Sequence, residues 1–125
     1  MPISHISMKA GKPNSYRDAI ADSVYQVLRE ELNVPEGDKF ITISEHDSSN
    51  FFYGDAFNVN RSDDLLYISI TVFDTRTPAQ KRKLYLRLVK LLEEKPGVKP
   101  ENVFINLYPL ARENWSVGLG EMQFG

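Results

Sequence analysis

The second residue of the chain is a proline that directly follows the initiator methionine. If Met1 is removed, Pro2 carries a free secondary amine, and the pKa of an α-amino group starts at about 7.7 to 8.0. Apolar burial or a neighbouring cation lowers such a pKa and makes a base, whereas a neighbouring carboxylate raises it and makes an acid. Pro2 is therefore a candidate catalytic residue. If Met1 is retained, the Pro2 nitrogen is locked in an amide and cannot transfer a proton.

Two charged residues further along the chain are candidates to act with this amine. Asp38 follows Gly37 just before an apolar stretch, and Arg76 comes directly before Thr77-Pro78, the expected start of a helix. A helix N-terminus favours an anion and arginine binds carboxylates with paired donors, so Arg76 is suited to hold a substrate carboxylate. Simpler interpretations stay open. Asp38 could serve only the turn, and Arg76 could be a surface arginine paired with Asp74 or Asp38.

The composition of the chain excludes several other kinds of site and partner. The chain has no cysteine, which excludes disulfides, thiolate catalysis and thiol metal sites. His5 and His46 lack partners at ligand spacing, so we expect no metal and no other cofactor. The net charge is -2 without a block of like charges, so neither nucleic acid nor a membrane is an expected partner. With no signal peptide and no long apolar run, we expect a cytoplasmic location.

The first part of the chain predicts a strand, a helix and a strand. Residues 2–8 mix apolar side chains with serines in a short run typical of a strand, and Ser15 is a possible cap for a helix from about Tyr16 to Leu32. Phe40, Ile41 and Ile43 begin the second strand. The helix is expected to bury one stripe of apolar side chains, namely Ile20, Val24, Val27 and Leu28.

The same pattern returns in the second part. The apolar run 65–73 predicts a strand, and Thr77 with Gln80 forms a capping box for a helix that stops before Pro96-Gly97. A last strand is expected over 103–107. The stripe buried by this helix is expected to consist of Leu84, Leu88, Leu91 and Leu92.

The two parts also share letters, because Val34-Pro35-Glu36-Gly37-Asp38 is echoed by Val98-Lys99-Pro100-Glu101-Asn102 about 64 residues later. Val-Pro-Glu is also a common way to leave a helix, so convergence is the alternative to duplication. The order and spacing favour a duplicated β-α-β unit. We predict an α/β (α+β) fold in one domain: a tandem β-α-β repeat with a four-stranded core sheet and two helices on one face. The units span about 2–46 and 65–110, and a tail spans 111–125.

These features resemble the tautomerase superfamily along essentially the whole chain, and most closely its longer, fused members similar to malonate semialdehyde decarboxylase. The resemblance rests on Pro2, Val34-Pro35-Glu36-Gly37-Asp38, Arg61-Ser62-Asp63-Asp64, Arg76-Thr77 and the tail Arg112-Glu113-Asn114-Trp115-Ser116. It implies an enzyme that needs no cofactor and assembles as a homotrimer around a free amino-terminal proline.

Residue by residue, the resemblance implies that Pro2 is catalytic, that Asp38 positions water or polarises the substrate, and that Arg76 binds a substrate carboxylate. It also implies that Trp115 and Phe124 form an apolar wall, with Val117 where a second aromatic is expected. Packing against the sheet or a neighbouring subunit is the simpler role for Trp115.

Position 74 departs from the decarboxylase pattern. A second arginine is expected two residues before Arg76, but the residue there is Asp74, whose charge would repel an anionic substrate. We therefore favour a tautomerase of a small 2-oxo acid over a decarboxylase or hydratase of a 3-oxo acid. A non-catalytic binding protein on the same fold is the third hypothesis.

Overall fold

The computed structural model describes residues 1–125, and its regular elements form two β-α-β units in sequence. In the first unit, strand β1 (Ile3–Lys9) leads through helix α1 (Asn14–Leu32) to strand β2 (Ile41–His46). No helix of the chain combines the length and the apolar character needed to cross a membrane.

The start of α1 corrects one prediction, because the helix begins at Asn14 and Ser15 is not its cap. Pro13 precedes the helix at φ -70° and ψ 164°, and no side chain caps the helix. The Pro13 carbonyl already accepts a bond from the Tyr16 N–H at 3.0 Å. The proline ring fixes φ at a value compatible with helix entry, so the first turn forms ahead of Ser15.

The second unit repeats this order with strand β3 (Leu66–Phe73), helix α2 (Pro78–Glu94) and strand β4 (Val103–Leu110). Here the predicted capping box is confirmed. The Thr77 side chain accepts a bond from the Gln80 N–H, and the Gln80 side chain accepts one from the Thr77 N–H.

The four strands form one mixed sheet in the order β2-β1-β3-β4, with β1 parallel to β2, β3 parallel to β4, and β1 antiparallel to β3. Ser4 pairs with Ile41 and Leu66 pairs with Val103, so partners lie 37 residues apart in both units (41 − 4 and 103 − 66). An equal offset in the two halves is what duplication of one unit requires. The predicted fold class is confirmed.

Both helices pack on one face of this sheet. The predicted stripes are buried there, with Ile20, Val24, Val27 and Leu28 on α1 and Leu84, Leu88, Leu91 and Leu92 on α2. Successive strand residues point to opposite faces, so Phe104 and Tyr108 of β4 lie on the side without helices. They are 44% and 55% exposed, and Ile3 at the start of β1 is 50% exposed. The helix-free face therefore presents apolar side chains to solvent.

Candidate active site at the amino terminus

Three chain segments meet where β1 begins. Ile3 pairs with Thr71 across the antiparallel β1–β3 contact, which places the amino terminus beside the end of β3 and the loop that contains Arg76. On the other side, the Ser4 N–H donates to the carbonyl of Phe40 at 2.9 Å, which brings in the loop that contains Asp38. Pro2 is buried at this junction. The sheet register thus brings Pro2, Asp38 and Arg76 to one place.

The Asp38 carboxylate is not used by the turn that carries it. The Asp38 N–H donates to the Pro35 carbonyl at 3.1 Å, and the Gly37 N–H donates to the Tyr25 hydroxyl at 2.9 Å. Gly37 has φ +86°, a conformation that glycine adopts without strain. These backbone bonds hold the turn, whereas Asp38 Oδ1 is buried without a hydrogen-bond partner. The Asp38 carboxylate is therefore not needed to hold the turn.

Arg76 is also left without a partner. It is partly buried, its Nε atom is buried with no hydrogen bond, and the ion pairs of the chain do not include it. The simpler interpretation, a surface arginine paired with Asp74 or Asp38, is therefore wrong. Asp74 is exposed, and its backbone N–H donates to the Leu110 carbonyl at 3.2 Å.

The charges at this junction act on the amino terminus, which Met1 carries in this structure. Burial lowers the pKa of this amine below its ordinary value of 8.0, the Asp38 carboxylate acts in the opposite direction, and Arg76 and Arg112 lower the pKa further. Burial and the neighbouring Arg112 also lower the pKa of Arg76. Asp74 is not among the groups that shift either pKa. The net effect lowers the pKa of this amine, which makes its neutral, proton-accepting form easier to populate.

An aromatic cluster borders the junction on the side of the C-terminal tail. The Phe73 ring, at the end of β3, meets the Trp115 ring edge-on at a centroid distance of 5.8 Å and the Phe124 ring at 5.1 Å. Trp115 is buried, and its Nε1 atom has no hydrogen-bond partner. Phe124 is partly buried through this contact with Phe73.

A small cavity of about 190 Å³ lies between the tail and the amino terminus. Val117 lines it and is 43% exposed, whereas Phe124 does not reach it. The lining is mostly apolar and consists of Met1, Ile3, Phe40, Trp115, Ser116 and Val117. Because Met1 lines this cavity, its removal would widen the cavity.

A larger cavity of about 350 Å³ at the opposite end of β1 has a different character. Its two lysines are neutralised, because Lys9 pairs with Asp63 at 3.0 Å and Lys12 pairs with Asp64 at 2.9 Å. Unpaired polar groups gather at the amino terminus instead. The candidate active site is therefore the smaller cavity with its surrounding charges.

Sequence reasoning missed Arg112 as a site residue. It lies in a short 3₁₀ turn, Arg112–Asn114, directly after β4, and its guanidinium carbon is 4.8 Å from the centre of the Phe73 ring. The only signal in the sequence was its place at the head of the tail motif, which does not tell where the tail folds.

The geometry and the family comparison agree on the class of protein. A model of the family described as "Tautomerase enzyme" matches residues 38–118. A four-stranded sheet under two helices, built from a tandem β-α-β repeat, is also the fold that the resemblance implied. The chain belongs to the tautomerase family.

Individual relatives support this assignment. The chain is 36% identical over 124 residues to the "Probable tautomerase YusQ" of Bacillus subtilis, covering 98% of both chains. A crystal structure of the FG41 malonate semialdehyde decarboxylase inhibited by 3-bromopropiolate superposes with a TM-score of 0.91 at 29% identity, covering 98% of this chain and 93% of that one. A structure described as the Q0 fused 4-OT wild type symmetric trimer shares the fold, with a TM-score of 0.80 at 13% identity and coverage of 95% and 94%.

Proposed function

We propose that this chain is a proline-based tautomerase that interconverts the enol and keto forms of a small 2-oxo acid. Pro2, freed by removal of Met1, is the acid and base. The observation that carries the proposal is the set of buried, unpaired polar atoms around the amino terminus: Asp38 Oδ1, Arg76 Nε and Trp115 Nε1. Such atoms are costly unless a ligand satisfies them, so their convergence on a lowered-pKa amine supports a binding site with a base in it.

The reaction needs only one proton to move. In the enol-to-keto direction, the neutral Pro2 nitrogen accepts the enol O–H proton while the carbonyl forms, and the resulting ammonium donates a proton to C3. Arg76 holds the carboxylate, and the Asp38 carboxylate stabilises the transient ammonium. The cavity beside Trp115 and Val117 takes the apolar substituent at C3.

The test is Pro2→Ala, assayed with the enol of phenylpyruvate. Alanine keeps a terminal amine but loses the secondary basicity and the ring constraint, so we expect the turnover number to fall roughly tenfold or more with the fold intact. Pro100→Ala, in the 3₁₀ turn before β4, is the matched control and should keep wild-type turnover. Intact mass must show that Met1 is absent from all three proteins. Equal rates for Pro2→Ala and wild type would remove Pro2 from the mechanism.

A second candidate is a decarboxylase or hydratase of a 3-oxo acid such as malonate semialdehyde. The 29% identity to the FG41 malonate semialdehyde decarboxylase favours it. In this reaction a protonated Pro2 would polarise the carbonyl, and carbon dioxide would leave as the new carbanion takes a proton. We rank this candidate second because Asp74 stands where the decarboxylase pattern has an arginine, and its negative charge would repel an anionic substrate. Wild-type protein that decarboxylates the semialdehyde efficiently and ignores enols would reverse the ranking.

We also propose that three copies of the chain assemble. The 13%-identical neighbour is described as a symmetric trimer, and the exposed apolar side chains of the helix-free sheet face need cover. The working enzyme is then a cytoplasmic homotrimer that acts on a small carboxylate without a cofactor.

A further inference from the structure

The turn that follows β4 directs two side chains onto one aromatic ring. Arg112 begins the Arg112–Asn114 turn and Trp115 follows it. The Trp115 N–H closes the turn by donating to the Arg112 carbonyl at 3.4 Å. The Arg112 guanidinium stacks over Phe73 at 4.8 Å and the Trp115 ring meets Phe73 at 5.8 Å. Phe73 itself is only 8% exposed, so it is a fixed platform for both.

The positive charge of Arg112 is not neutralised within the chain. No carboxylate lies within 4.0 Å of its guanidinium, although five other ion pairs form, and its side chain makes no hydrogen bond. Contact with the Phe73 ring holds the guanidinium in place but leaves its N–H donors free. A cation held in this way, with free donors, is suited to bind an anion.

Arg112 acts at the same place as Arg76. Phe73 pairs with Leu110 across β3 and β4 and the Asp74 N–H donates to the Leu110 carbonyl at 3.2 Å, so the segments that lead to Arg76 and Arg112 leave the sheet side by side. The charge of Arg112 also lowers the pKa of both the amino terminus and Arg76. Two guanidiniums and one carboxylate, that of Asp38, act on the terminal amine. With the amine neutral, the site carries one net positive charge, and two neighbouring cations repel each other until an anion binds between them.

We infer that Arg112 is a second substrate-binding guanidinium that holds the carboxylate of a 2-oxo acid together with Arg76. The inference rests on the proposed function and deepens it. Arg112 contributes a second positive charge from the C-terminal tail, over the Phe73 ring. Because Trp115 directly follows the same turn, the distance between the Arg112 guanidinium and the apolar cavity that Trp115 lines is fixed. The preferred substrates are therefore monocarboxylic 2-oxo acids with an apolar substituent at C3.

The test measures binding separately from turnover. Trp115 is the only tryptophan of the chain, so its fluorescence reports on this site alone. The ligands are 2-oxohexanoate and its methyl ester, which share an apolar chain and differ in the charge of the carboxyl group. Arg112→Met keeps an apolar cover over Phe73 without the charge, and Arg112→Lys keeps the charge. Arg82→Ala, at an exposed position of α2, removes one positive charge elsewhere.

We expect Arg112→Met to raise the dissociation constant of 2-oxohexanoate roughly tenfold or more, since a charged hydrogen bond is lost, and to leave that of the ester unchanged. Arg112→Lys should recover part of the loss, and Arg82→Ala should bind both ligands like the wild type. Equal weakening of acid and ester by Arg112→Met would show a purely structural role and overturn the inference. Unchanged binding of the acid would overturn it as well, while the proline-based tautomerase stands. Wild-type protein that does not prefer the acid to the ester would overturn both.

Discussion

Four side-chain atoms of the chain are buried without a hydrogen-bond partner, and three of them belong to Asp38, Arg76 and Trp115. The fourth is Ser4 Oγ, two residues after Pro2 on the helix-facing side of β1. An unsatisfied buried polar group costs about 1–3 kcal/mol, so such groups are rare unless a ligand meets them. Their position around one amine concentrates that cost where the proposed chemistry occurs.

The charge of Asp38 leads to a prediction about pH. Its carboxylate is the one group that raises the pKa of the amino terminus, because it stabilises the ammonium form. In Asp38→Asn the proton therefore leaves more easily, and the basic form is available at lower pH. We expect the acidic limb of the pH profile of kcat/KM to move to lower pH, whatever the height of the profile. Asp18→Asn, at an exposed position of α1, is the control. A limb that stays in place or moves to higher pH would contradict the assigned role of Asp38.

The sequence indicated most of this site but not all of it. Pro2, Asp38 and Arg76 stand at boundaries of predicted elements, and the register of β1 with β2 and β3 brings those boundaries together. Arg112 stands at a boundary too, but its contact with Phe73 depends on the path of an irregular tail. No periodic pattern encodes such a path. The position of Asp74 likewise depended on a loop, and its exposure could not be foreseen from its spacing to Arg76.

At the scale of elements, the two echoed turns are used differently. Asp38 closes the turn before β2 and leaves its side chain free, whereas Asn102 before β4 is 2% exposed and fully bonded. The Asn102 Oδ1 atom accepts from the Ser62 N–H at 2.8 Å, and its Nδ2 atom donates to the Ser62 hydroxyl at 2.9 Å. The second turn thus fastens the long connection between β2 and β3 to the sheet.

This fastening predicts a loss of stability. In Asn102→Ala both hydrogen bonds between the buried amide and Ser62 are lost, so at about 0.5–1.5 kcal/mol for each bond we expect the free energy of unfolding to fall by about 1–3 kcal/mol. Asn60→Ala removes an exposed amide from the same connection and should have little effect. Urea unfolding followed by circular dichroism measures both variants. An Asn102→Ala protein as stable as Asn60→Ala would show that the pair with Ser62 does not hold the connection.

The helices and strands could be predicted from periodicity and capping chemistry, as the buried stripes of both helices and the capping box at Thr77 show. The path of the connection from residue 47 to 65 could not be predicted, because this segment has no repeating pattern. In it Phe51 is buried against the Tyr67 ring at 5.4 Å, while its neighbour Phe52 is 77% exposed. Which of two adjacent aromatics anchors a loop depends on the loop path, so Phe51 as the anchor could only be seen in the structure.

At the scale of the whole molecule, the helix-free face of the sheet is the surface through which the proposed trimer would form. Phe104 lies on this face, and Leu86 is a comparably apolar residue, 71% exposed, on helix α2. We expect sedimentation to give three times the chain mass of 14.3 kDa for the wild type. Phe104→Glu should shift the protein to smaller species, because it places a charge in the proposed interface. Leu86→Glu should remain trimeric. A wild-type monomer at micromolar concentration, or equal behaviour of the two variants, would contradict threefold packing through the sheet.

The different use of Asp38 and Asn102 has a consequence for the number of ligand molecules that the proposed site allows each chain to bind. Two repeated units could in principle provide two equivalent pockets, one at each end of the central strand pair. Only the first unit begins with a chain terminus and keeps its acidic side chain unbonded, while the second has turned the equivalent amide inward to fasten a loop. For the proposed site we therefore expect one ligand per chain, and three occupied sites in the proposed trimer of six repeated units.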